Sequence, residues 1–120
     1  MAGPDHKTLL EVAKTAAADE ALADQYQGAL ETLHAKVPDD PVVSTDLPRC
    51  AAFRRLLYEL RQALAPLVAA AEKRDPPPAD FNPSRAQRLI PEWETARAAF
   101  RRDYLAHKDY LEKLALRFVR

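Results

Sequence analysis

The sequence predicts an all-α fold: an antiparallel three-helix bundle forming a single domain over residues 1–120. Three observations lead there. Ala, Leu and Arg dominate, whereas glycine occurs only twice and isoleucine once, at Ile90, a composition that favours helix over strand. Apolar residues recur at helical spacing along three long stretches. Between them lie two proline-bearing segments, VPDDPVVSTDLP at 37–48 and DPPPADFNP at 75–83. Proline restricts both itself and the residue before it, so these read as stiff connectors. A chain of this length can bury a core without disulfides or metals.

The first helix is expected over about residues 6–36, with Asp5 as its N-cap. Leu9, Ala16, Ala23, Leu30 and Val37 recur every seven residues. Val12, Tyr26 and Leu33 fill the companion positions, and Asp19 is the one misfit in the seam. A heptad seam packs long helices at shallow angles. The middle, TAAADEALAD, is mostly alanine, and a break near 18–21 would make four helices of the three. The second helix is expected over about 47–74, with Asp46 as cap and Pro48 in its first turn. Phe53, Leu57, Leu60, Leu64, Leu67 and Ala71 form its seam, which Leu56 and Val68 widen. Pro66 lies inside and is expected to kink or divide it. Asn82 and Pro83 then start a short helical segment at about 84–90. Pro91 opens the last helix, about 91–119, with Glu92 and Glu94 where the helix dipole favours acids.

Net charge is zero, yet the first 47 residues carry three Lys and nine acids while the rest carry fifteen bases and nine acids. A basic half can signal a nucleic-acid partner. Because acids are interleaved with the bases throughout, the simpler expectation is that an acidic first helix packs beside basic later ones. Cys50 is the only cysteine, which excludes an internal disulfide, and its apolar neighbours mark it as a small core residue. The N-terminus lacks the apolar stretch of a signal peptide, and no run is long and apolar enough to span a membrane. The cytoplasm is therefore the expected location, with no membrane partner.

Candidate chemistry is sparse. Glu31-x-x-His34 has the spacing of di-iron bundles, but such sites need a second pair on a facing helix, and neither His6 nor His107 belongs to one. No metal and no cofactor are expected. The segments LHAKV and AHKDY lack the glycine that usually lets a phosphate approach a phosphotransfer histidine. With so little glycine, phosphate-binding loops are excluded as well.

The stretch RRDYLAHKDY, residues 101–110, holds the one arrangement that looks catalytic. Arg102-Asp103-Tyr104-Leu105-Ala106-His107 resembles the short signature of the HEPN superfamily: Arg, a polar residue, three others, His. That resemblance implies a helical bundle that cleaves RNA without a metal, or acts in toxin–antitoxin or phage-defence systems. Arg102 would hold the phosphate, His107 would transfer protons, Asp103 would be the polar neighbour, and the RNA 2′-hydroxyl would attack. An arginine fork suits a phosphodiester and histidine suits proton transfer near neutral pH. On an unbroken helix, however, Arg102 and His107 lie roughly 140° apart, so a shared phosphate needs a bend or a second chain. The structural alternative places His107 in the apolar seam with Trp93, Phe100, Tyr104, Leu111, Leu114 and Phe118, and Asp103 within reach one turn before it. A third possibility is nucleic-acid binding without catalysis by Arg54, Arg55, Arg61, Arg97, Arg101 and Arg102, with aromatic stacking on Tyr110.

The expected function is a small helical-bundle protein that binds another protein, by self-association into a homodimer or by docking a partner on its C-terminal helix. Leu105, Leu116 and Val119 form a second apolar strip beside the main seam, and Tyr110 lies at the seam's edge. These four residues are the expected interaction face.

Overall fold

The computed structural model describes residues 5–118. All regular structure within them is helical: α1 is His6–Lys36, α2 is Pro41–Glu72 and α3 is Ser84–Leu116. The described residues thus form three helices, and α1 runs unbroken through residues 18–21. Its first turn starts where expected, the Asp5 side chain accepting from the Thr8 amide at 2.7 Å.

The other two helices are longer than their prolines suggest. α2 begins six residues before the expected start, because Asp40, not Asp46, is its cap. The Asp40 carboxylate accepts from the Val42 and Val43 amides, both at 3.0 Å, and Pro41 takes the first helical position. Pro48 and Pro66 both lie inside α2, and Pro66 does not divide it. Likewise the segment at 84–90 is not separate: α3 is continuous through Pro91. One physical reason covers all three prolines. Each sits on an exposed face, where the carbonyl that loses its amide partner can be hydrated. Burial of the opposite face then outweighs the local cost.

α2 ends in a Schellman motif: the Arg74 amide donates to the Ala71 carbonyl at 3.1 Å and the Asp75 amide to that of Ala70 at 2.9 Å. Arg74 carries the left-handed residue of this motif, with φ of 58°.

α2 packs closely against both α1 and α3, whereas α1 and α3 scarcely meet. The first pair is antiparallel: Arg54 reaches Gln27 while Arg61 reaches Glu20. The second is too, since Arg49 reaches Asp103 while Asp40 meets Tyr110. The core runs along α2 through Cys50, Phe53, Leu57, Leu60, Leu64 and Leu67, faced by Leu9, Ala16, Ala23 and Leu30 from α1 and by Ala86, Trp93 and Phe100 from α3. Phe53 stacks on Phe100 with centroids 4.8 Å apart, and Tyr26 meets Phe100 and Tyr104 edge-on. The molecule measures 55 × 28 × 19 Å with a radius of gyration of 17.4 Å, against roughly 14 Å for a compact domain of this length. Such an elongated shape leaves more helix surface uncovered than a sphere would.

Candidate functional site

Where α1 and α3 part, their gap forms a groove of about 580 Å³. Leu22, Tyr26, Ala29 and Leu33 line it from α1, Tyr104, Leu111 and Ala115 from α3, and Phe118 from just beyond the end of α3. At 1.5 Å per residue the lining stretch of α1, from Leu22 to Lys36, runs for about 21 Å. Long side chains, not backbone contact, hold the two walls at this spacing: Tyr26 against Tyr104, and Lys36 with its ammonium 5.4 Å from the Phe118 ring centre. The α1 wall is low. Gly28 lies on it, and a β-carbon there would meet nothing within 4 Å. Lys108 and Glu112 form the α3 lip, the Lys108 ammonium 6.0 Å from the Tyr104 ring centre.

Outside that lip, Leu105 is 65 % exposed and Leu116 67 %. They are eleven residues apart, so they share one stripe of α3. Tyr110, 43 % exposed, does not join them. It lies on another side of α3, and its hydroxyl donates to Asp40, tying α3 to the start of α2. That bond pushes the Tyr110 hydroxyl up in pKa. Partial burial works against the ionised form of Asp40, but the Tyr110 hydroxyl and the Val43 and Val42 amides together outweigh it and leave the carboxyl below its ordinary value. Val119 lies outside the described residues.

The residues of RRDYLAHKDY are held separately. α3 is unbroken here. Arg102 is exposed and lines, with Arg49 and Asp103, a smaller cleft of about 390 Å³ between α2 and α3. Asp103 does not pair with His107. It accepts instead from Arg49 at 3.1 Å. His107 turns to α2, its Nδ1 2.7 Å from Oδ2 of Asp46. The Tyr26 hydroxyl donates to that same oxygen at 2.5 Å. Burial, followed by this bond to Asp46, raises the Tyr26 hydroxyl far above the ordinary tyrosine range. One carboxylate thus joins all three helices. Asp46 is buried, and its Oδ1 has no partner among the described residues.

Most of this network was hidden in the sequence. Asp46 reads as a cap only because the start of α2 is misplaced; with the helix begun at Pro41 it falls three residues after Val43 and four before Cys50, on the buried face. Asp19, the misfit of the α1 seam, is buried and accepts from Arg97 Nε at 3.1 and 2.8 Å. Arg54 pairs with Asp24, and Arg61 with Glu20 at 2.8 Å. Acids of α1 therefore engage three of the six arginines considered for a nucleic-acid surface. Trp93 is buried and Tyr104 half-buried. Cys50 is buried, its thiol donating to the Ala23 carbonyl at 3.4 Å, and burial pushes its pKa up to about 11. Glu31 and His34 are both exposed on α1. No group of three or more His, Cys, Asp or Glu that could hold a metal occurs among the described residues, and no helix among them is long and apolar enough to cross a membrane. No family model, curated protein or solved structure matches the chain.

Proposed function

We propose that this protein is a helical-bundle interaction protein that self-associates through α3. The observation that carries the reading is the pair Leu105 and Leu116, two-thirds exposed on one stripe beside an apolar groove. Scattered single leucines are ordinary on a surface. Two on one stripe, beside a groove lined by aromatic and aliphatic side chains and separated from it by the Lys108–Glu112 lip, leave large apolar groups in water on one side of α3, the kind of exposure that an interface would cover. Chemistry is less well supported, because Asp103 and His107 each already engage a side chain of α2.

The test is absolute mass in solution by light scattering, on the wild type and on Leu105→Glu/Leu116→Glu. The wild type is expected at twice the chain mass of 13.5 kDa at tens of micromolar. The double variant is expected at the monomer mass with an unchanged helical circular dichroism spectrum. A wild type that stays monomeric at about 100 µM, a Kd too weak for a stable interface, overturns the reading. So does a dimer that tolerates both glutamates. Metal-independent RNA cleavage that disappears in a folded His107→Ala variant would favour the ribonuclease resemblance instead.

A further inference from the structure

Asp46 leaves half of its carboxylate unused. The residue is 2 % exposed, Oδ2 is held by the Tyr26 hydroxyl and by His107 Nδ1, and Oδ1 has no partner among the described residues. A buried carboxylate oxygen without a donor costs free energy that a bound donor would recover. The donors nearest to it in the fold are committed elsewhere. Arg49, one turn after Asp46, bonds to Asp103, and the Cys50 thiol donates to the Ala23 carbonyl. Trp93 Nε1, the other unpartnered buried atom among the described residues, is out of reach. It lies on α3 about 21 Å of helix away from His107, the residue that faces Asp46.

Asp46 lines the cleft of about 390 Å³ between α2 and α3, a volume within the range of small-molecule sites. Because the two helices are antiparallel, the cleft has two unlike ends. Asp46, Arg49, Arg102 and Asp103 stand at its head, whereas Phe53, Leu56, Ala96 and Phe100 form an apolar trough toward its tail. Every charge on the cleft can be placed. Arg49 and Asp103 offset each other. Arg102 is exposed and makes no ion pair among the described residues. Glu92 sits on the tail, about 15 Å of helix before Arg102. The head therefore offers one unfilled acceptor and one unpaired guanidinium. Arg102 lies about 7.5 Å of helix before His107, a gap that an arginine side chain and a small bridging ligand together span.

We infer that this cleft binds a small zwitterion of the α-amino-acid class with an apolar side chain. Its ammonium donates to Asp46 Oδ1, its carboxylate meets the Arg102 fork, and its side chain lies along the trough. Phe53 and Phe100 stack on each other, so the ligand lies against them and not between them. A plain carboxylate brings no donor for Oδ1, and a plain amine leaves Arg102 unused. Glu92 disfavours a second carboxylate at the tail. Oδ1 is closed to solvent, so a side chain of the head must turn aside on binding. Arg49, whose side chain is 60 % exposed, can do so at little cost, because exposed ion pairs contribute little. The site is separate from the α1–α3 groove and does not depend on self-association.

The test is a titration of the whole chain, followed by amide chemical shifts in two-dimensional NMR, with L-phenylalanine, phenethylamine and 3-phenylpropionate as probes. L-Phenylalanine is expected to bind with a Kd of about 0.1–1 mM and to shift signals on both cleft walls, within 46–56 and 92–103. Each half-ligand is expected to bind about tenfold more weakly, having lost one charge-assisted hydrogen bond. Arg102→Ala is expected to weaken L-phenylalanine about tenfold and to leave phenethylamine unchanged. Asp46→Asn turns an amide toward the ammonium and is expected to weaken both. Ala99→Leu narrows the cleft while keeping Asp46 and its partners, and it is expected to abolish binding even where Asp46→Asn fails to keep the helical circular dichroism spectrum. No shifts at about 10 mM, or shifts confined to 22–36 and 104–118, overturn the site. So do 3-phenylpropionate binding as tightly as L-phenylalanine, indifference to Arg102→Ala or Ala99→Leu, and indifference to a folded Asp46→Asn.

Discussion

Removing Arg97 is expected to cost more than removing the residue it pairs with. Asp19 sits in the α1 seam with its side chain 5 % exposed, whereas Arg97 is 32 % exposed. Both carboxylate oxygens of Asp19 lie within 3.1 Å of Arg97 Nε. Arg97→Ala leaves a carboxylate buried without the guanidinium that it pairs with. Breaking a buried pair in this way costs about 3–5 kcal/mol, and the lower end applies because water can enter where the guanidinium was. Asp19→Ala instead leaves a guanidinium that already reaches solvent, and it replaces aspartate with the strongest helix former. Its cost is about 1 kcal/mol. At about 2.1 cal/mol/K per residue the unfolding entropy of this chain is roughly 0.25 kcal/mol/K, so the two variants should lose about 12 °C and about 4 °C of Tm. Thermal and urea melts followed by circular dichroism at 222 nm measure both. Equal losses, or a larger loss for Asp19→Ala, would refute the argument that the buried carboxylate sets the energetics of this contact.

Tyr26→Phe removes the hydroxyl that donates to Asp46 Oδ2. Removing one partner of a buried hydrogen bond costs about 1–3 kcal/mol, so a loss of about 2 kcal/mol is expected in urea unfolding, shrinking by half or more in an Asp46→Asn background. Arg74→Gly relieves the left-handed residue after α2 and should raise stability by about 1 kcal/mol, read as a rise of about 4 °C in Tm. The Asp40 carboxyl is held below its ordinary value of 3.8. Its contribution to stability is therefore complete above that value and is lost as pH falls through the lower, folded one. Urea midpoints compared at about pH 6 and pH 3 should show a smaller drop in Asp40→Asn than in wild type, because the amide oxygen keeps the cap but does not titrate there.

The legible part of the fold was its periodicity. α1 spans the residues that the heptad and the Asp5 cap indicate, and the α2 seam from Phe53 to Leu67 is buried as its spacing requires. The misread parts share one cause. In sequence, Pro48, Pro66 and Pro91 carry the force that proline has in a solvated helix taken alone, whereas here α2 and α3 run through them, each with a buried face on the other side. Which face a proline occupies decides the matter, and that follows only once the seam on both sides of it is extended through it. The candidate site was partly legible. The shared stripe of Leu105 and Leu116 follows from their spacing, and the separation of Arg102 from His107 follows from the same wheel. The groove does not, since it depends on how far α1 stands from α3. Nor does the Tyr26–Asp46–His107 contact, which joins residues from three helices and leaves no trace within any one of them.

Because α2 alone holds both neighbours, the three helices form a chain of two joints and not a closed ring. In a ring, no helix can leave without breaking two interfaces. Here α3 can swing out by releasing one, along with the few long-range contacts from Asp19, Tyr26 and Lys36. Native-state exchange of amide hydrogens would then report α3 opening as a unit while the α1–α2 hairpin stays shut. The same freedom makes α3 the element that two copies could trade, with the proline-rich stretch before it acting as a short strut that sets how far the traded helix can travel.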